Sequence, residues 1–116
     1  MTTEAELFDT LKYRVEVSWV GTRYYYNADG LLHRDGGPAV IGPDGQHLEW
    51  YQNGLLHRDD GPALKWANGD EWWYQYGEQH RIDGPAQVGA HTERWFLYGQ
   101  EYAQHEYYRQ LKSSES

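Results

Sequence analysis

The sequence predicts a mainly β protein: an antiparallel β-hairpin repeat array in meander order, with a short N-terminal helix and a C-terminal helix as caps. Three observations predict it. A motif recurs at near-constant spacing, with His33, His57 and His80 lying 24 and then 23 positions apart. Thirteen glycines and 16% aromatic residues, mostly Tyr and Trp, suit a turn-rich sheet. Helical patterning is confined to the two ends.

At the start, Thr3-Glu4-Ala5-Glu6 matches a capping box, and Leu7, Phe8 and Leu11 follow at helical spacing. A helical cap over 3–13 is expected. Val15–Val20 and Thr22–Tyr26 flank Gly21 and read as an opening hairpin. They begin an array over 14–102 within a single domain, 1–116.

Three copies of the repeat align without gaps, Tyr26–Ala39, Trp50–Ala63 and Trp73–Ala86, each ending in His-Arg-x-x-Gly-Pro-Ala. A fourth begins at Trp95-Phe96-Leu97-Tyr98-Gly99 and then loses the His-Arg and Gly-Pro parts. Each unit reads as a short strand after Gly-Pro, a tight turn, a longer aromatic strand, a second glycine turn and a brief return carrying His-Arg. Glu71–Tyr76 and Glu93–Tyr98 are rich in β-formers, as strands should be. Gly42-Pro43-Asp44-Gly45 marks a turn, and Asn53-Gly54 and Asn68-Gly69 suit two-residue hairpin turns. Residue alternation along a strand places Trp50 and Trp73 on one face and Tyr51 and Tyr74 on the other. An aromatic strip that two short helices leave uncovered is expected to roll inward, to meet a second copy in a homodimer, or to bind a partner. The C-terminal segment, 103–116, reads as a helix and tail, with Tyr107, Tyr108 and Leu111 able to face the sheet.

Composition limits the function. The chain has no cysteine, which excludes disulfides, thiolate metal sites and a thiol nucleophile. Eighteen acidic against ten basic side chains give a net charge of −8, which disfavours direct binding to nucleic acid or anionic lipid. It leaves room for a basic partner or for imitation of a polyanion. No apolar run approaches the ~20 residues needed to span a bilayer, and the acidic start does not resemble a secretory signal, so a cytoplasmic location is expected.

The repeated His-Arg pair draws attention as possible chemistry. Strands lie ~4.8 Å apart, which places equivalent histidines of successive units roughly 10–14 Å apart, too far to share one ion. No metal or cofactor is expected. The array has no serine between Trp19 and Gly99 and no distinctive carboxylate pair, and an enzyme needs one site rather than several equal ones. No enzymatic activity is expected. Two readings of the motif remain. In the structural one, Asp60 and Asp83 cap the turn, Gly61 and Gly84 supply backbone freedom, and Arg34, Arg58 and Arg81 pair with acids of the adjoining unit. In the ligand-binding one, His33, Arg34, His57, Arg58, His80 and Arg81 cradle an anionic nucleotide at each unit interface, as a multi-site sponge would. The departures from the repeat, Trp66, Trp72, Tyr76, Ile82 and Tyr98, are the candidate partner-binding residues, because the fold does not require them.

The run Trp50–Ala63, with its Gly-x-x-His-Arg-x-Asp-Gly-Pro-Ala core, resembles a tandem repeat of small bacteriophage and prophage proteins. That family is loosely similar to MORN-type and YwqK-antitoxin-type repeats. The resemblance spans roughly 24–102; the first unit departs from it at Gly36 and the last lacks the core. It implies a β-hairpin array without enzymatic activity. By analogy with small acidic phage proteins, it also implies an inhibitor of a bacterial defence complex, of the anti-CRISPR kind, acting by protein–protein contact on a host protein in the bacterial cytoplasm. A scaffold module and the nucleotide sponge stay open beside that reading.

Overall fold

The computed structural model describes residues 12–114: thirteen strands in antiparallel sheets and one C-terminal helix. The strands are β1 Arg14–Val17, β2 Arg23–Tyr26, β3 Val40–Ile41, β4 Leu48–Glu49, β5 Tyr51–Gln52, β6 Leu55–Leu56, β7 Leu64–Lys65, β8 Glu71–Trp72, β9 Tyr74–Gln75, β10 Glu78–Gln79, β11 Gln87–Val88, β12 Glu93–Leu97 and β13 Gln100–Tyr102. Nine of them form one sheet in the order β1-β2-β3-β4-β7-β8-β11-β12-β13, and the pairs β5-β6 and β9-β10 stand out from it as separate two-stranded arms. The meander expected from the repeat is therefore present, in an elongated body of 53 × 30 × 21 Å. All but the last two residues of the expected N-terminal helix, 3–13, lie outside the described residues.

The aromatic strand of each middle unit is not continuous. Trp50 and Trp73 are pivots at which the chain leaves the main sheet for its arm. Trp50 N–H donates to the Ala63 carbonyl at 2.8 Å, while its own carbonyl accepts from His57 N–H at 3.1 Å. Trp73 does the same with Ala86 and His80, at 2.7 and 3.2 Å. One residue thus serves two sheets, and Glu71–Tyr76 divides into β8 and β9. The simple alternation of Trp on one face and Tyr on the other does not survive this bend.

In the first unit the pivot is Tyr25, not Tyr26: it donates to Ala39 at 2.8 Å and accepts from His33 at 3.0 Å. The ungapped alignment is one residue out there because the first turn is longer. Asn27 N–H bonds the Leu31 carbonyl at 2.9 Å, and the Asn27 side chain accepts from Asp29 and Leu31 N–H at 3.0 and 3.1 Å. Of the two expected two-residue turns, Asn53-Gly54 is one, with φ of 49° and 83°, the type I′ geometry. Asn68-Gly69 is instead part of a wider loop, closed by Trp66 N–H on Asp70 O at 3.0 Å and by Gly69 N–H on Trp66 O at 2.9 Å.

The core is thin. Ala39, Ala63 and Ala86, the alanines of Gly-Pro-Ala, are all fully buried, and Tyr13 and Tyr25 pack with Ala39 in an edge-to-face pair 6.0 Å apart. The methyl is the side chain that fits beside the pivot aromatic. At the other end, helix Gln104–Ser114 inserts Tyr107, which is fully buried, whereas Tyr108 is 49% exposed rather than facing the sheet.

Candidate partner-binding groove

The His-Arg-x-x-Gly-Pro-Ala motif builds a joint with two parts. The first part lies within a unit. The Arg58 guanidinium stacks 4.0 Å from the Trp50 ring centre, Arg81 3.8 Å from that of Trp73 and Arg34 4.1 Å from that of Tyr25. Each donates through Nη1 to the carbonyl of its own unit's proline, at 3.3 Å for Pro38, 3.1 Å for Pro62 and 2.9 Å for Pro85. Arg58 and Arg81 also donate Nε to Asp60 and Asp83, at 3.1 and 2.8 Å. Arg58 and Arg81 therefore pair with an acid of their own unit, not with one of the adjoining unit, and Asp60 and Asp83 hold guanidinium rather than capping the turn.

The glycine before proline is explained by the same packing. A Cβ on Gly61 would sit 2.8 Å from Arg58 Cζ, and one on Gly84 would sit 3.0 Å from Arg81 Cζ. Gly61 is not among the positive-φ residues, so steric room is what it supplies, in place of the expected backbone freedom.

The second part links unit to unit. His33, His57 and His80 accept on Nδ1 from the backbone N–H of Asn53, Tyr76 and Tyr98, at 3.0, 3.0 and 2.9 Å. The next glycine, Gly54, Gly77 or Gly99, donates to the residue before the histidine at 2.8, 2.8 and 2.9 Å. Gln52 and Gln75 donate Nε2 to Arg34 O and Arg58 O at 3.1 and 2.8 Å. In the last unit Leu97 replaces that glutamine, and the Tyr107 hydroxyl takes its place by donating to Arg81 O while accepting from Gly84 N–H at 3.3 Å. The C-terminal cap thus copies a bond of the repeat.

Because Nδ1 is an acceptor, the proton of each neutral ring sits on Nε2. In two units that nitrogen faces an aspartate, Asp35 at 3.2 Å from His33 and Asp59 at 3.0 Å from His57. Ile82 occupies the matching place beside His80. Burial pushes the His80 imidazole below its ordinary value, against a smaller opposing pull from Glu78. At the other end, the hydrogen bond from Lys12 holds the Asp35 carboxyl below the usual carboxylate range.

These joints leave grooves between units. The larger, about 810 Å³, is lined by Tyr76, Ile82, Tyr98, Trp73 and Gln75, with Asp59, Asp60, Glu78 and Asp83 along it. An equivalent groove of about 670 Å³ lies one unit earlier, where Asn53 stands in the place of a tyrosine. Tyr76 and Tyr98 are 69% and 77% exposed and rest one ring face on His57 and His80, 4.2 Å between ring centres in both cases. They occupy the first central position of type I′ turns, with φ of 47° and 50°. That left-handed region costs an L-residue roughly 1–2 kcal/mol, less for Asn, which bonds locally.

The expected partner-binding residues thus fall in two places. Tyr76, Ile82 and Tyr98 share the groove. Trp66 and Trp72 form a half-buried edge-to-face pair 4.6 Å apart, with His47 6.3 Å from Trp66, and do not line it. Asp60 and Asp83 beside Gly-Pro enter the sequence reading only as turn caps; as site residues, the groove's carboxylates escaped it. So did the apolar tip of the first hairpin, where Trp19 is 97% exposed between Val17 and Val20. Among the described residues, no group of three or more metal-binding side chains is placed to hold an ion, and no helix is long and apolar enough to cross a membrane.

No family model matches the chain, and no curated protein or solved structure was found similar to it.

Proposed function

We propose that this protein is a non-enzymatic binding protein that works by protein–protein contact through the groove bounded by Tyr76, Ile82 and Tyr98. The observation that carries the reading is the pair of exposed tyrosines held in left-handed turns where the sister unit uses Asn53. Such strain persists where the surroundings fix it, and it gathers at binding sites. A wall of Tyr and Ile beside carboxylates has the amphipathic character of protein contact surfaces. The resemblance to phage repeats directs the proposal to a host target: an inhibitor of a bacterial defence complex, acting in the host cytoplasm. The nucleotide sponge has less support, since an anion in the groove would meet four carboxylates, while the arginine heads are stacked and bonded inward.

Two measurements test the proposal. A photo-cross-linking amino acid at position 98 of the full chain, expressed in bacteria, should capture one defined protein. Expression in a strain with an active defence system should raise phage plating, and Tyr76→Asn with Tyr98→Asn should abolish that rise. Unchanged plating with the folded wild-type chain across a panel of defence systems, together with no cross-link, would remove the reading.

A further inference from the structure

We infer that the occupant of the groove is an extended, arginine-bearing segment of the partner protein, with guanidinium groups seated between the tyrosine rings and the carboxylates. This rests on the reading of the groove as the partner site and adds the chemistry of what enters it.

The charge balance comes first. Asp59, Asp60, Glu78 and Asp83 line the groove against Arg81; Arg81 pairs with Asp83 Oδ1 at 2.8 Å and Arg58 with Asp60 Oδ1 at 3.1 Å, which leaves Asp59 and Glu78 in excess. The side chains of Asp59, Asp60 and Asp83 are 84%, 88% and 79% exposed, so most of their oxygen surface faces the groove or solvent. A cation entering gains from that net negative charge, and an anion is opposed by it.

The rings come second. His57 and His80 each cover one face of Tyr76 and Tyr98, and the exposure of the tyrosines leaves the other face open. An open aromatic face beside carboxylates favours a planar cation, which stacks and donates at once; arginine does this and lysine does only part of it.

The third observation is internal precedent. The chain itself seats Arg58 over Trp50 with Nε on Asp60, and Arg81 over Trp73 with Nε on Asp83. The groove offers the same two halves, aromatic face and carboxylate, to a guanidinium from outside. Its equivalent one unit earlier shares Asp59, Asp60 and Tyr76 with it, so a strand laid along the array meets both in succession. That continuity selects an extended segment over a single side chain.

The test is a calorimetric titration of the full-length protein with a synthetic alternating Gly-Arg peptide, beside its citrulline and lysine counterparts. Saturable binding of the arginine peptide is expected, weakened about tenfold or more by citrulline replacement and by the pair Tyr76→Asn and Tyr98→Asn. Tyr98→Phe, which keeps the ring, should retain binding, and thermal melts confirm that each variant is folded. Absence of saturable binding would overturn the inference. So would equal binding of arginine and lysine peptides that is unaffected by the tyrosine changes, since bulk acidity alone then accounts for it. If cross-linking finds a groove partner while the arginine peptide fails to bind, the partner site stands and its proposed occupant falls. If the peptide binds as expected but neither partner nor plating effect appears, the chemistry stands and the inhibitor reading falls.

Discussion

His57 Nδ1 accepts the backbone N–H of Tyr76 at 3.0 Å, so a buried side chain of one unit closes the turn of the next. The same bond joins His33 to Asn53 and His80 to Tyr98. Repetition of histidine in the three complete units is therefore explained by assembly of the array.

His57→Ala removes the acceptor and leaves the Tyr76 N–H without a partner, which costs about 1–3 kcal/mol. Urea denaturation should show a lower midpoint with little change in slope.

The His80 imidazole titrates below its ordinary value of 6.5 in the folded chain because burial disfavours its charged form. The unfolded chain therefore takes up the proton first as pH falls. The contribution of His80 is full above about pH 6.5 and is lost as pH drops from there through the lower folded value. Melting temperature should decline between pH 7.5 and about 5.5 more steeply in the wild type than in His80→Gln, which keeps an acceptor but does not titrate. A slope unchanged by the substitution would remove His80 as the cause. The window lies above the ordinary aspartate value of 3.8, so the Lys12–Asp35 pair is not involved.

Gly61→Ala places a methyl carbon where Arg58 Cζ would be 2.8 Å away, displacing the guanidinium from Trp50. A loss of about 1–3 kcal/mol is expected. In an Arg58→Ala background the same change should cost markedly less, since the two sites share one contact.

Tyr107→Phe deletes the hydroxyl that stands in for a glutamine at the last joint. About 1–3 kcal/mol should be lost, because Arg81 O and Gly84 N–H lose their partner together. Hydrogen exchange should accelerate first in β12 and β13.

Tyr98 sits at φ 50°, where Asn is tolerated and a β-branched residue is not. Tyr98→Asn should hold stability within about 1 kcal/mol, whereas Tyr98→Val should lower it in thermal or urea unfolding, because branching at Cβ adds to the left-handed cost that Tyr98 already bears. If both variants lose equally, ring stacking on His80 rather than backbone geometry dominates.

The repeat, the opening hairpin, the Asn53-Gly54 turn and the C-terminal helix were legible because each rests on local chemistry: spacing, a turn pair, helical periodicity. The bends at Trp50 and Trp73 were not, since an unbroken aromatic run gives no sign that one residue will bond two sheets. The single-residue shift at Tyr25 was hidden by a turn length that only the Asn27 bonds explain. Of the candidate site, Tyr76, Ile82 and Tyr98 were found as departures from the repeat. Trp66 and Trp72 departed equally and yet pack on each other, so deviation alone does not distinguish a contact surface from a local repacking. Asp60 and Asp83 read as turn residues and Asp59 carries no role in the sequence, because their convergence depends on the stacking of successive units.

The hydrogen bond of the joint reaches residue 53, 76 or 98 through its main-chain amide. Whatever side chain hangs there is invisible to the bond that secures it. Each turn tip is in effect a vacant display position on a fixed rack, limited mainly by tolerance of a left-handed backbone. Exchange of a tip residue, or duplication of a whole unit, leaves the hydrogen bonds of the frame beneath as they are.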